Sequence, residues 1–339
     1  RQQTGWSRGR LSSVDVVHKG SGDVRHWRLE PQTASRRSGQ TMLRSVWSAP
    51  HVAAAAASLH RGRIEYQRGR HFELLAREPG SERPDLPIWV SSPHAIEYEP
   101  AAGPVVKHEV PGVRGAFVLS NVLSPRESEQ LLRMSEAMGY TEDAPVSLGR
   151  RIRKNSNCVW IADDSVWLPV WRRIAPHLPP EAGGGRPAGL NQRWRLYRYG
   201  ESDVFRLHTD GSWPGSAAGD GRVTRDAYGD RWSQMTLLLY LDDDYDGGET
   251  SFVVSEEGLP ASAHAPGARV RSVRVARGSA LLFYHGEHPL SMLHEGSLVS
   301  RGVKTIVRSD VLYTLLGRTL PDGDSAALPL EQPPRDELR

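Results

Sequence analysis

The sequence predicts a mainly β protein with covering helices, a double-stranded β-helix (jelly roll), and three observations support that expectation. From Asn191 onward, apolar and polar residues alternate in eight short stretches: Trp194–Tyr199, Phe205–Asp210, Gln234–Leu241, Thr250–Val254, Val270–Val275, Ala280–Tyr284, Leu290–Glu295 and Val303–Tyr313. A period of two is the mark of strands with one face toward a core. Gly- and Asp-rich turns separate the stretches, the spacing expected of two packed antiparallel sheets. Upstream lie two stretches of helical period with start signals, placed to cover one of those sheets.

In chain order, residues 1–85 read as a basic extension, disordered or targeting. Residues 1–84 carry 15 Lys/Arg against 7 Asp/Glu, so the positive charge of the whole chain (43 Lys/Arg, 40 Asp/Glu) belongs to this arm. Only 38% of the 339 residues are hydrophobic, which agrees with part of the chain lying outside a packed core. The chain opens on Arg1 rather than Met, and its Arg- and Ser-rich, acid-poor start through Arg44 has the composition of an organelle transit peptide or of a solvated tail. A short helix is expected near Val52–His60. Residues 86–109 read as a Pro-rich linker able to add an edge strand, and the folded domain is expected over 110–316. Gly115–Leu119 alternates like a strand. Ser124-Pro125-Arg126-Glu127 supplies an N-cap, a Pro at the first helical position and a capping-box Glu, so a helix is expected from Pro125 to Met138 with Gly139 as its stop. A second helix is expected within Asp163–His177, with Pro169 starting or kinking it, and Glu181–Gly189 reads as a loop. Residues 317–339 read as a loose tail.

Cys158 is the only cysteine, which leaves it no partner for an intrachain disulfide and leaves no thiolate cluster for a metal. This favours a cytoplasmic or organellar setting over a secretory one. No stretch approaches the ~20 consecutive apolar residues of a membrane span.

The chemistry concentrates at Arg206-Leu-His208-Thr-Asp210. Side chains alternate along a strand, so His208 and Asp210 face the same way and offer one imidazole and one carboxylate to a single point. Three histidines compete to complete the set, His285, His288 and His294. His294 is preferred because it lies on the next alternating stretch and is followed ten residues later by Lys304, a cation on the neighbouring strand. Two imidazoles and a carboxylate form the facial triad of non-haem Fe(II) oxygenases, although ligand types alone leave zinc hydrolysis open. The open face of such a metal accepts a bidentate cosubstrate such as 2-oxoglutarate, whose far carboxylate needs a buried cation. Lys304 is the candidate, with Tyr199 and Tyr240 on inward phases beside it; Arg308 is the alternative clamp, or the partner of Asp310.

Several ordered motifs share a resemblance. Arg195-Leu-Tyr-Arg-Tyr-Gly200, His208-Thr-Asp-Gly211, Thr236-Leu-Leu-Leu-Tyr-Leu-Asp242, Gly247-Gly-Glu-Thr-Ser-Phe252, Gly278-Ser-Ala-Leu-Leu-Phe283 and His294-Glu-Gly followed by Gly302-Val-Lys304 are similar to the catalytic domain of prolyl 4-hydroxylase-type 2-oxoglutarate/Fe(II) dioxygenases over about residues 112–314. The resemblance implies iron at His208, Asp210 and His294, 2-oxoglutarate at Lys304, O2 as second cosubstrate and ascorbate as reductant. It implies hydroxylation of a C–H bond, of peptidyl-proline or another protein side chain or of a small molecule, with release of succinate and CO2. The chain departs from collagen-type enzymes in lacking their paired cysteines and in carrying Gly211–Ser233 as a long insert, expected to be a mobile lid headed by Trp213. Arg308 and Arg195 share the inward phase of Lys304 and Tyr199 and are further substrate-side candidates. Two other readings stand beside this one, a nucleic-acid demethylase of the same superfamily and a silent jelly-roll binding protein. The first is disfavoured because the pair of arginines six apart that should follow the distal histidine is missing.

Overall fold

The computed structural model of the chain describes residues 65–100, 103–144 and 153–315, together with the backbone of Asp15–Lys19. The helix expected near Val52–His60 and the tail 317–339 lie outside the described residues.

Two β-sheets face each other. Arg193–Tyr199, Lys304–Thr314, Arg231–Tyr240 and Ala280–Tyr284 are consecutive neighbours in a ten-stranded sheet. Arg269–Arg274, Thr250–Val254, His294–Gly296 and Val204–His208 are consecutive neighbours in a six-stranded one. Along the chain the path passes back and forth between the sheets, which is the double-stranded β-helix that the eight alternating stretches predict. The strand Lys304–Thr314 makes the logic visible. Ile306 joins the apolar cluster between the sheets, with Tyr197, Phe252 and Phe283, whereas Val307 and Val311 join the cluster on the opposite face. By the same alternation Lys304, Arg308 and Asp310 face inward with Ile306, four polar or apolar choices that fix what the cavity can do.

The outer face of the large sheet is covered by the helices Pro125–Met138 and Asp164–Ile174. Leu131, Met134, Val166, Val170 and Ile174 pack there against Trp160, Trp194, Leu196, Leu237 and Leu239. The first helix begins as expected: Ser124 Oγ accepts from Glu127 N, Glu127 Oε2 accepts from Ser124 N, and the chain leaves at Gly139 with φ 88°. The second starts at the Asp163 cap, before Pro169 rather than at it, because Asp163 accepts from Ser165 N and fixes the first turn. Trp167 and Trp171 of its aromatic stripe are only partly buried; Val166, Val170 and Ile174 make the buried contact.

The ordered unit reaches further back than Val110. Phe72–Glu78, placed by the sequence in the basic extension, and Leu86–Ser91, placed in the linker, form an antiparallel pair at one edge of the large sheet, and Leu86–Ser91 runs parallel to Ser156–Ile161. Val106–Glu109 forms the other edge against Phe117–Ser120. The strand Asp15–Lys19 pairs with Arg269–Arg274. Leu86–Ser91 and Val106–Glu109 fall in the stretch expected to add an edge strand, whereas nothing marked Phe72–Glu78, whose alternation a bulge between Leu74 and Ala76 breaks. The insert Gly211–Ser233 is likewise no free lid. Ser233 N–H donates to Trp213 O at 2.8 Å, Gly215 N–H to Arg231 O at 3.0 Å, and Ser216 N–H to Asn191 Oδ1 at 3.1 Å. Its hairpin, Ala217–Gly219 with Arg222–Thr224, buries Val223 against Ile88, Val159 and Ile161, so it covers the part of the large sheet that the small sheet does not reach. Among the described residues no helix is long and apolar enough to cross a membrane.

The two helices and the segment before them meet at Glu127. Its buried carboxylate accepts from Arg173 Nη1 at 2.6 Å and Nη2 at 2.9 Å, and from the N–H groups of Ser124 and Glu99, each at 2.8 Å. Burial alone would raise its pKa, but Arg173 and these N–H donors prevail and hold it below the usual carboxylate value. This stabilising contribution is present above the ordinary Glu pKa and is lost as pH falls through the depressed one. Glu127→Ala is expected to cost about 3–5 kcal/mol in denaturant unfolding, since it takes away the only carboxylate among the described residues that meets the partly buried Arg173 guanidinium; a cost under about 1 kcal/mol would show that the pair does not tie the helices together.

Candidate metal centre

Val204–His208 and His294–Gly296 are paired neighbours in the small sheet, with His208 directly across from His294. The sequence expectation that Asp210 lies on the same strand is corrected in one detail: the strand ends at His208, and Asp210 sits just beyond it, its carbonyl accepting from Gly286 N–H at 2.9 Å. The three side chains nevertheless converge. His208 Nε2 is 3.8 Å from Asp210 Oδ1, His294 Nε2 is 3.6 Å from Asp210 Oδ2, and one ligand atom from each lies within 4.8 Å of the others. An ion about 2.0–2.2 Å from each donor fits such a triangle.

The donor chemistry is also set. Nδ1–H of His208 donates to Arg206 O at 2.8 Å and Nδ1–H of His294 to Met292 O at 3.0 Å, which leaves both Nε2 lone pairs pointing to the shared point. Burial, then the nearby His294, lowers the His208 pKa to about 4, so its imidazole is neutral at physiological pH. Burial works to raise the Asp210 pKa, but Arg308 and the two histidines outweigh it and keep the carboxylate ionised, well below its usual range. Phe205 stacks on His208 at 3.6 Å with an interplanar angle of 12° and fixes the ring from behind.

Of the competing histidines, neither His285 nor His288 reaches the centre. His288 stacks on Tyr284 at 3.7 Å. His285 is buried and serves the centre at one remove: Ser233 Oγ–H donates to His285 Nε2 at 2.9 Å, His285 Nδ1–H to Thr236 Oγ1 at 2.8 Å, and Thr236 Oγ1–H to Asp210 Oδ2 at 2.7 Å. The other Asp210 oxygen lies 3.3 Å from Arg308 Nη2, and the same nitrogen lies 3.2 Å from Asp310 Oδ1. Arg308 is therefore a partner of the metal-side carboxylate and of Asp310.

A cavity opens from this triangle toward Lys304, walled by Tyr197, Tyr199, Thr250, Gly296 and Ile306. Lys304 is 2% exposed, and its Nζ donates to Gly248 O at 2.6 Å while sitting 5.4 Å from the Tyr199 ring and 5.3 Å from the Tyr240 ring. Gly248 has φ 68°, and a Cβ there would come within 3.3 Å of Lys304 Cδ, so a glycine lets the backbone close over the lysine. Tyr199 faces the cavity, whereas the Tyr240 hydroxyl is 2.7 Å from Thr250 Oγ1 and reaches the cavity through it. Arg195 lies across from Arg308 in register on the same inward face. Trp213 is 47% exposed, three residues past Asp210, with its ring against Gly211. Sequence reasoning missed Thr236, Thr250, Phe205 and Tyr197. The phase of Thr236, inward on the strand beside Lys304–Thr314, was a usable signal; nothing local marked Thr250.

No protein-family model matches the chain, and no curated protein matches it. Solved structures similar to it include a prolyl-4-hydroxylase from Pseudomonas putida, 14% identical, with 58% of this chain and 92% of that one covered at a TM-score of 0.35. The collagen prolyl hydroxylase of Paramecium bursaria Chlorella virus-1, in its 2-oxoglutarate complex, is 15% identical over 63% of this chain and 98% of that one, with a TM-score of 0.38. HygX from Streptomyces hygroscopicus, with nickel and 2-oxoglutarate bound, is 16% identical over 60% and 84% of the two chains, with a TM-score of 0.37.

Two outcomes follow from this geometry. Thr236→Val removes a hydrogen bond that orients the Asp210 carboxylate and is expected to weaken metal binding about 10- to 100-fold; competition against a metal-sensitive chelator measures it, and unchanged affinity would remove Thr236 from the site. Lys304 gives an opposite pair of signs. Burial lowers its pKa from 10.5 to about 8, so the folded chain binds fewer protons than the unfolded one between those values. The cost of its buried charge is full below pH 8 and fades as pH rises through that window. Lys304→Met should therefore keep or raise the melting temperature at pH 7, measured by thermal unfolding; a lower melting temperature would contradict it.

Proposed function

We propose that this protein is an Fe(II)- and 2-oxoglutarate-dependent dioxygenase that hydroxylates a substrate C–H bond, on a protein side chain or a small molecule, converting 2-oxoglutarate and O2 to succinate and CO2. The observation that supports it most is the joint geometry: a triangle of two imidazoles and a carboxylate opening into one cavity that ends at a buried lysine. When bound, iron with 2-oxoglutarate and O2 supplies the oxidising power, and ascorbate is the proposed reductant that keeps the metal ferrous.

The chain's own share is orientation, charge and exclusion of water. His208, Asp210 and His294 hold the metal on one side, with Thr236 and Arg308 fixing the carboxylate. Lys304 Nζ is the group that exchanges its contact with Gly248 O for the far carboxylate of 2-oxoglutarate, with Tyr199 and Thr250 beside it. Tyr240 supports that end through Thr250. The apolar wall of Leu238, Ile306 and Phe205 keeps the reacting end dry. The triad's other chemical use, zinc hydrolysis, leaves no role for a lysine buried at the far end of the same cavity, and iron is favoured on that ground.

Anaerobic protein with Fe(II) and 2-oxoglutarate is expected to show a weak visible charge-transfer band and, on admission of O2, to release succinate. His208→Ala should lose both band and metal. Absence of the band and of succinate in the wild type, with metal content unchanged in His208→Ala, would overturn the reading. Stimulation of succinate release by peptides, by small molecules or by methylated oligonucleotides then separates the substrate classes.

A further inference from the structure

Accepting the cavity as an oxygenase site, we infer that its substrate carries an oxyanion, a carboxylate or a phosphate, bound by Arg195 and Arg153 a few bonds from the carbon that is oxidised.

The inward face of the large sheet is a ladder with two different ends. Lys304 lies across from Tyr199, Ile306 from Tyr197, and Arg308 from Arg195. Lys304 closes the end proposed for the cosubstrate. Two rungs away, Arg308 touches the metal-side Asp210, and its cross-strand neighbour Arg195 lies one strand further out, about 5 Å. Arg153 approaches the same place from the small sheet. Its guanidinium sits 4.5 Å from the centre of the Tyr197 ring and 5.1 Å from that of Phe205, which is itself stacked on His208. Tyr197 is thus flanked by three guanidinium groups, and although it is buried they hold its hydroxyl below the usual tyrosine pKa.

What matters is how these charges are balanced. Arg308 is matched by Asp210 and Asp310. Arg193, the next inward residue on the Arg195 strand, is matched by Glu78, and Asp203 at the rim is matched by Lys154. Glu295, on the cavity wall, accepts from Ser297 Oγ–H. Arg153 is held only by neutral amides, donating through Nε to Asn155 Oδ1 at 2.8 Å and through Nη2 to Asn157 Oδ1. The Arg195 side chain forms no hydrogen bond or ion pair among the described residues; only its backbone is engaged, in the ladders to Arg308 and Val159. Two partly buried arginines therefore lie beside Tyr197, a residue of the cavity wall, without a carboxylate, one of them held by asparagines that orient it without cancelling its charge. A planar guanidinium in that state is suited to bind an oxyanion in two-point fashion. A substrate reaching from the metal to this pair spans about one strand spacing, so its charged group and its reacting carbon are close neighbours.

The test uses the full chain loaded anaerobically with Fe(II) and 2-oxoglutarate, after the charge-transfer band has shown that both are bound. Acetate and inorganic phosphate are titrated at low ionic strength by calorimetry. Wild type is expected to bind at least one, and whichever it prefers separates a carboxylate from a phosphate substrate. Arg195→Gln and Arg153→Gln should each bind it at least tenfold more weakly, Arg195→Lys should recover part of the loss, and the 2-oxoglutarate affinity should move less than twofold in all three. In a panel of candidate substrates paired as acid and primary amide, the acid should be preferred by at least tenfold in kcat/KM, and Arg195→Gln should erase the preference. If the loaded wild type binds neither anion, or the variants bind as wild type does, the inference fails while the oxygenase reading stands. If the variants lose 2-oxoglutarate instead, the arginines serve the cosubstrate and the inference also fails. A wild type that shows no band fails the oxygenase reading first.

Discussion

The site depends on one largely enclosed carboxylate. Asp210 has left its strand and stands where desolvation opposes its charge, so the charge survives only because partners surround it: Arg308 and Thr236 at its two oxygens, and the facing imidazoles of His208 and His294. Each partner is fixed by something larger. Thr236 and Arg308 are inward residues on the two most extensively paired strands of the large sheet, and His294 is registered against His208 in the small one. The two sheets therefore meet electrostatically at Asp210, as well as through the apolar cluster between them.

From that point the cavity runs between a buried lysine at one end and the arginine beside Asp210 at the other, and period-two alternation sets that order. One strand places Lys304, Ile306, Arg308 and Asp310 in a row on the inner face while its intervening residues pack under the helices. The same strand thereby supplies a cation at one end, an apolar spacer at the centre and the carboxylate's partner at the other. Burial lowers the pKa of that lysine to about 8, so its charge is held at a cost below that pH.

Much of this was legible because the signals are local. The capping box at Ser124 and Glu127 and the positive-φ stop at Gly139 involve neighbours a few residues apart, and the helix begins and ends where they say. The spacing of His208 and Asp210 is likewise local, and Thr250–Val254 and Ala280–Tyr284 fall at the residues their alternation marks. Where pairing is distant the reading ran short. Phe72–Glu78 looked like part of the arm, and Leu86–Ser91, expected at most as an edge strand, lies one strand in, between Phe72–Glu78 and the distant Ser156–Ile161. The insert looked like a lid because its Gly and Asp residues say nothing of Val223 finding an apolar patch on the sheet.

The sequence by itself determined the two covering helices and the main alternating strands, the inward phase of the functional side chains and the three residue types that form the triangle, since each follows from periodicity and from donor chemistry. The sequence preferred His294 among three histidines; only the tertiary structure decided where the others go, placing His285 behind Thr236 and His288 against Tyr284, because that depends on strand order across two sheets. It also decided that Arg308 serves Asp210 while Arg195 keeps its charge unmatched among the described residues, because two arginines in the same phase differ only in which carboxylates the fold brings to them.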